Sequence, residues 1–148
     1  PQAALIPVLH LAIREFGWLS REAMEYVATR LGVPSAQVLN TATFYTLLRK
    51  RPIGRHHIQV CVNVACYLKG ADRLVEHLRG RLGIDLGGVT PDGLFSLEGV
   101  QCLAACGTAP AIQVNDDYFE DMTIEKLDAL LDRLLGTVGG PSAAGGEA

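Results

Sequence analysis

The chain has 148 residues, 49% hydrophobic and 20% charged, a globular profile sized for one ordinary domain or a small domain with an appendage. A net charge of -3 argues against the basic surface that nucleic-acid binding requires, so no nucleic-acid partner is expected. No apolar run reaches the ~18 residues of a membrane span, so direct membrane insertion is not expected either.

The apolar start, Leu5 to Ile13, is broken by Pro7 and His10 and lacks a small-residue cleavage site, so it does not read as a signal peptide. Pro1 is not an initiator residue, and the native start reads as processed or cut away. Four cysteines without an export signal point to metal or redox chemistry in a reducing compartment, rather than to structural disulfides. A cytoplasmic location is therefore expected, or the mitochondrial matrix if a targeting segment was removed.

Residues 1–52 read as a three-helix bundle. Leu5, Leu9, Ala12, Ile13 and Phe16 recur at helical spacing, and Gly17 ends that segment. Ser20 is a good N-cap for a second helix with the stripe Met24, Val27, Ala28 and Leu31, and Gly32 suits its C-terminus. Pro34 opens a third helix that the pattern carries to about Arg49. Arg49 to Arg55, broken by Pro52 and Gly54, reads as a domain boundary: a solvated joint first, an electrostatic docking patch second.

After the joint the period changes from helical to alternating. Ile58, Val60 and Val62 signal a strand, and Leu74, Val75, Leu78 and Leu82 a helix stopped by Gly83. Thr90-Pro91-Asp92-Gly93 is a turn, and Phe95 to Val100 a second strand. Ala111 to Val114 and Tyr118 to Glu120 flank Asn115-Asp116-Asp117 as a hairpin. Thr123 caps a last helix with Leu127, Leu130, Leu131, Leu134 and Leu135 on one stripe. Strand, helix, strand implies a parallel pair with a right-handed crossover. The order β-α-β-β-β-α gives an α/β fold with a small mixed sheet over residues 55–136, for which a thioredoxin-like arrangement is the simplest match. Residues 137–148 are Gly/Ala-rich and are expected to be disordered.

Cys61 and Cys66 are spaced C-x4-C, and Cys102 and Cys106 C-x3-C. Cys61 is expected at the end of the first strand, Cys66 in the loop before the helix, Cys102 at the end of the second strand and Cys106 in the following loop. If the two strands are parallel neighbours, both pairs emerge at one sheet edge, as a shared four-ligand site requires. Three chemistries compete. Zinc typically uses tighter C-x2-C turns. Two bridged irons need wider loops, since each pair grips a different iron, and these spacings fit that better. Two disulfides remain possible but are unusual in a reducing compartment. Backbone N–H groups of the loop around Asn63 to Ala65, and small or apolar residues such as Leu103, Ala104, Ala105, Gly107 and Ala109, suit a cluster that needs dry surroundings.

Four further elements are specific. They are Ala42-Thr43-Phe44-Tyr45, the strand into Cys61-x4-Cys66, Thr90-Pro91-Asp92-Gly93-Leu94-Phe95-Ser96, and Cys102-Leu103-Ala104-Ala105-Cys106-Gly107-Thr108-Ala109-Pro110 followed by Ile112-Gln113-Val114-Asn115. Through them residues from about 5 to 135 resemble the NADH-quinone oxidoreductase E subunit, the thioredoxin-like [2Fe-2S] subunit of respiratory complex I. The same module is related to diaphorase subunits of NAD-reducing hydrogenases and formate dehydrogenases. The resemblance implies that Cys61 and Cys66 ligate one iron and Cys102 and Cys106 the other. It implies docking on a flavoprotein subunit that carries FMN, NADH and a [4Fe-4S] cluster, within the peripheral arm of complex I. The expected activity is one-electron exchange with FMN on that partner, at a low potential near the ~−400 mV of plant-type ferredoxins. One departure is Ala104, where the family usually has Gly; Ala disfavours positive φ.

No dinucleotide fingerprint is present: Gly87-Gly88 and Gly139-Gly140 lack the setting and spacing, so NADH and FMN are expected on the partner alone and no complete active site here. His56 and His57 read as strand-edge histidines rather than Rieske-type ligands, and His10 and His77 as surface or boundary residues. Phe44 and Tyr45 read first as core, Tyr45 second as a partner-facing residue, and Trp18 as a core plug. Asp116, Asp117, Glu120 and Asp121 read as a solvated turn. Competing functions are the same module in an NAD-reducing hydrogenase, formate dehydrogenase or electron-bifurcating complex, a zinc-stabilised interaction module, and a free-standing thioredoxin-like ferredoxin.

Overall fold

A computed structural model describes residues 2–45 and 47–136; the expected tail lies outside the described residues. The chain divides into two compact units between Ile53 and Gly54.

The first unit holds three helices, α1 (Leu5–Phe16), α2 (Arg21–Leu31) and α3 (Ser35–Phe44), after a 3-10 turn at Gln2–Ala4. Their ends follow from local chemistry. Gly17 adopts the left-handed region that closes α1, and the Ser20 hydroxyl accepts the Ala23 N–H at 3.1 Å to open α2. Leu5, Leu9, Val27, Val38 and Leu48 form the core. Three details differ from the sequence pattern. The third helix stops at Phe44, because Tyr45 turns to extended backbone (ψ 106°), although Leu47 and Leu48 continue helical spacing. Phe16 is exposed, and Leu19, not the half-buried Trp18, fills the core beside it.

The second unit is built on a four-stranded mixed sheet in the order β2-β1-β3-β4. Strand β1 (His56–Cys61) leads through a short helix α4 (Val64–Leu68) and the crossover helix α5 (Ala71–Leu82) to β2 (Phe95–Val100). These two strands are parallel, with Ile58 opposite Leu97 and Cys61 opposite Val100. Strand β3 (Ile112–Val114) runs antiparallel to β1, and β4 (Asp117–Phe119) antiparallel to β3. The β3–β4 turn is only Asn115-Asp116, with Asn115 at φ 56°, a residue type that tolerates this region. Helix α6 (Ile124–Gly136) closes the unit, and the Thr123 hydroxyl accepts the Lys126 N–H near its start.

Alternation along the strands sends Ile58, Val60, Leu97 and Ile112 to one face, where Leu74 and Leu78 of α5 and Leu127 and Leu131 of α6 bury them. Polar pairs fasten the two helices together. His77 Nε2 lies 2.7 Å from Asp128 Oδ1, and Arg81 donates to Asp132 at 3.0 Å. The opposite face carries His57, Gln59 and Ser96, all buried. His57 is therefore not a strand-edge residue. It sits on a central strand, with Nδ1 2.7 Å from Ser96 Oγ and Nε2 3.0 Å from Glu98 Oε2. That polar network offsets the cost of burying an imidazole. This is an α/β, thioredoxin-like sheet carrying its cysteines at one end.

Candidate metal centre

The parallel pairing of β1 and β2 decides where the thiols fall. Cys61 is the last residue of β1, and Cys102 lies two residues beyond the end of β2. Because Cys61 pairs with Val100, both chain segments leave the sheet at the same edge, and the Cys61 thiol points to Gln101 O, 4.0 Å away. Cys66 lies inside α4 rather than in a loop: the Asn63 side chain accepts the Val64 N–H at 2.7 Å and nucleates this turn of helix directly after the strand. Cys106 opens the 3-10 turn Cys106–Thr108 instead of lying in an irregular loop.

Cys61 and Cys66 are buried, Cys102 and Cys106 exposed, and none of the four is in a disulfide. Their thiols act on one another. Burial pushes Cys61 up, but the Asn63 N–H, the Cys66 thiol and the Leu103 N–H together hold it below its ordinary value. Cys66 is pushed up by burial above all, against the Ala111 N–H, with the charges of Cys61 and Cys106 adding to the rise. Negative charge on Cys61 and Cys106 thus disfavours ionisation of Cys66. Cys102 Sγ in turn accepts the Ala104 N–H at 3.2 Å.

Among the described residues no three His, Cys, Asp or Glu side chains meet at a point where one metal ion would sit. Tetrahedral zinc needs all four donors around a single ion. A [2Fe-2S] cluster needs only a pair of thiolates at each iron. Cys61, Cys66 and Cys106 act on one another and Cys102 leaves β2 at the same edge, so thiol donors gather there with backbone N–H groups on Cys61, Cys66 and Cys102. The neighbouring histidines do not compete: His57 faces Ser96 and Glu98, and His56 lies five residues before Cys61 along β1. The backbone donors Leu103 and Ala111 are not marked by residue type in the sequence. Only the apolar character of Leu103, which is buried and anchors its loop, hints at the first.

Exposed apolar residues surround this edge: Val62, Val64, Tyr67 and Leu68 on and beside α4. In the first unit Phe44 and Tyr45 are 78% and 45% exposed, which corrects their reading as core residues, and their rings stack edge-on at 5.0 Å. No helix among the described residues is long and apolar enough to cross a membrane.

The chain is 45% identical over 134 residues to the NADH-quinone oxidoreductase E subunit of Rickettsia bellii, covering 90% of this chain and 80% of that protein. It is 47% identical to an NADH-quinone oxidoreductase E subunit, numbered 2, of Rhizobium meliloti, covering 88% and 78%. It is 44% identical to NADH-quinone oxidoreductase subunit 2 of Thermus thermophilus, covering 88% and 72%. Among solved structures, the H2-reduced NAD+-reducing [NiFe]-hydrogenase superposes with a TM-score of 0.80 at 23% identity. The match covers 91% of this chain and 23% of that one, a likeness of fold. The thioredoxin-like [2Fe-2S] ferredoxin family matches residues 1–135, nearly the whole length, and the chain belongs to that family.

Proposed function

We propose that the chain is an electron-transfer subunit of an NADH:quinone oxidoreductase. In this reading Cys61 and Cys66 hold one iron and Cys102 and Cys106 the other iron of one [2Fe-2S] cluster, which exchanges single electrons with FMN on a partner flavoprotein. The observation that supports the reading is the parallel register of β1 and β2, which sets Cys61 opposite Val100, two residues before Cys102, so that both segments leave the sheet at one edge. The relatives named NADH-quinone oxidoreductase subunits supply the setting.

When bound, such a cluster accepts and returns one electron without proton chemistry of its own. The residues of the chain do the rest. Burial of Cys61 and Cys66 dries one side of the site, and Leu103 and Ala109, which flank the second cysteine pair in sequence, are buried as well. The N–H groups of Asn63, Leu103, Ala104 and Ala111 offset negative charge on the sulfurs. The exposed Val64, Tyr67 and Leu68 form a surface beside the site on which a flavoprotein docks, bringing its flavin near the cysteines. The complex places this chain on the cytoplasmic side of the membrane, in its peripheral arm.

The test is reconstitution of the full chain with iron and sulfide under anaerobic conditions. Two irons per chain and a rhombic signal in the reduced state, lost in a Cys102→Ser variant, are expected. Zinc retained in place of iron, with no paramagnetic signal after dithionite, would refute the reading.

A further inference from the structure

Strand β4 is an outer strand of the sheet, pairing with β3 alone. Which of its backbone groups are left over follows from the ladder. In an antiparallel pair, directly opposed residues alternate between bonded and non-bonded positions. Between β1 and β3 the Asn115 N–H donates to the His57 carbonyl and the Cys61 N–H to the Ala111 carbonyl, so the bonded position between them is Gln59 with Gln113. Gln113 therefore turns its N–H and C=O toward β1, and its other neighbour, Tyr118, turns both of its own away from β3 into the open edge. Tyr118 is exposed, as are Asp116, Asp117, Glu120 and Asp121 around it. Phe119 takes the opposite face, where it packs against the core under the Arg133 guanidinium. Between this strand and α6 lies a cavity of about 410 Å3, lined in part by Phe119, Met122, Ala129 and Leu130.

We infer that the open edge of β4 is an interaction surface that takes an extended, basic segment of a partner protein as a short added strand. The acidic side chains around Tyr118 supply the charge that such a segment complements. The order of its residues follows from the geometry. A segment antiparallel to β4 exchanges two hydrogen bonds with Tyr118. Its residue opposite Phe119 faces the cavity beside α6, which suits an apolar side chain. Two positions later its residue lies opposite Asp117, which suits Lys or Arg. Cations already occupy the α6 side, since Arg133 covers Phe119 and Lys126 Nζ donates to the Asp121 carbonyl at 2.8 Å. The basic residue therefore belongs at Asp117 and the apolar one at the cavity. A second copy of this chain fits poorly, because pairing β4 with itself brings the carboxylates of both copies together.

The experiment titrates the 15N-labelled full chain with two threonine-based peptides. One carries leucine followed two positions on by arginine; the other has aspartate in place of the arginine. Amide exchange at Tyr118 and the resonances of Phe119, Ala129 and Leu130 are followed. The arginine peptide is expected to slow exchange at Tyr118 and to move those resonances, and the aspartate peptide to bind about tenfold more weakly. Tyr118→Pro removes the outward N–H without taking a donor from the β3 ladder, as an edge strand tolerates, and is expected to abolish binding. If that variant does not fold, Asp117→Lys decides, with a preference reversed toward the aspartate peptide as the expected result. Exchange at Tyr118 that neither peptide slows overturns the inference. So do equal affinities for the two peptides, unchanged binding by Tyr118→Pro, or an unreversed preference in Asp117→Lys. Self-association of the chain that protects the Tyr118 amide assigns the edge to a second copy and overturns it too.

Discussion

Asp92 lies in the turn before β2, where the Thr90 hydroxyl donates to its carboxylate and the Leu94 N–H donates at 2.9 Å. The Thr90 contact first, then the Leu94 N–H, holds this carboxyl below its ordinary value of 3.8. The ionised form is thus favoured by folding. Its contribution is present above the ordinary value and is lost as pH falls through the lowered one. Asp92→Asn removes that ionisation at every pH. The melting temperature of the variant is expected to lie below wild type at neutral pH, and the gap to close as pH falls through the lowered value. Glu22 and Glu125 are also held low, but both chains carry them, so the difference isolates Asp92. A gap that persists undiminished in acid would show that the turn acts through something other than charge. At this scale residue identity made much legible. Cysteine spacing marked the site, and Thr90-Pro91-Asp92-Gly93 marked the turn. Backbone groups carry no such mark, which is why the donors at Leu103 and Ala111 emerge only from the fold.

At the scale of elements, the edge where the cysteines meet depends on how closely β1 and β2 approach at their opposite ends. Gly54 packs against the backbone of β2 just before β1 begins; a Cβ there would lie 2.3 Å from the carbonyl carbon of Phe95 and 2.6 Å from Ser96 N. Backbone cannot move aside as a side chain can. Gly54→Ala is therefore expected to cost about 1–3 kcal/mol as overpacking and to lower the urea midpoint. An alanine variant with the wild-type midpoint would mean that the strands separate freely at this end. Strands β1 and β2 and helix α5 were readable because each has enough residues to show its period. Helix α4 was not: five residues make little more than one turn, too few for a period to repeat, and only Asn63 as a cap announces it. His57 was misjudged because strand alternation says which face a side chain takes, not whether Ser96 and Glu98 wait there to pair with it.

For the whole molecule, the fold class followed from the order of periods along the chain, while the separation of its cores is a tertiary fact. One core gathers Leu5, Leu9, Val27, Val38 and Leu48; the other gathers Ile58, Val60, Leu97, Ile112 and Leu127, and the two share no residue. Each unit therefore carries its own apolar driving force, and damage to one core removes no contact from the other. Leu9 is fully buried at the centre of the first. Leu9→Ala is expected to cost that unit about 2–5 kcal/mol through lost burial and the cavity left behind. Hydrogen exchange reads the two units separately. Amides of α1, α2 and α3 are expected to exchange faster in the variant, while those of β1, β2 and α5 keep wild-type protection. The iron content and reduced spectrum of the reconstituted chain are expected to stay unchanged, because all four cysteines belong to the second unit. Equal loss of protection across both units would show that they unfold as one, and the cysteine site would then owe its stability to the helical unit as much as to its own sheet.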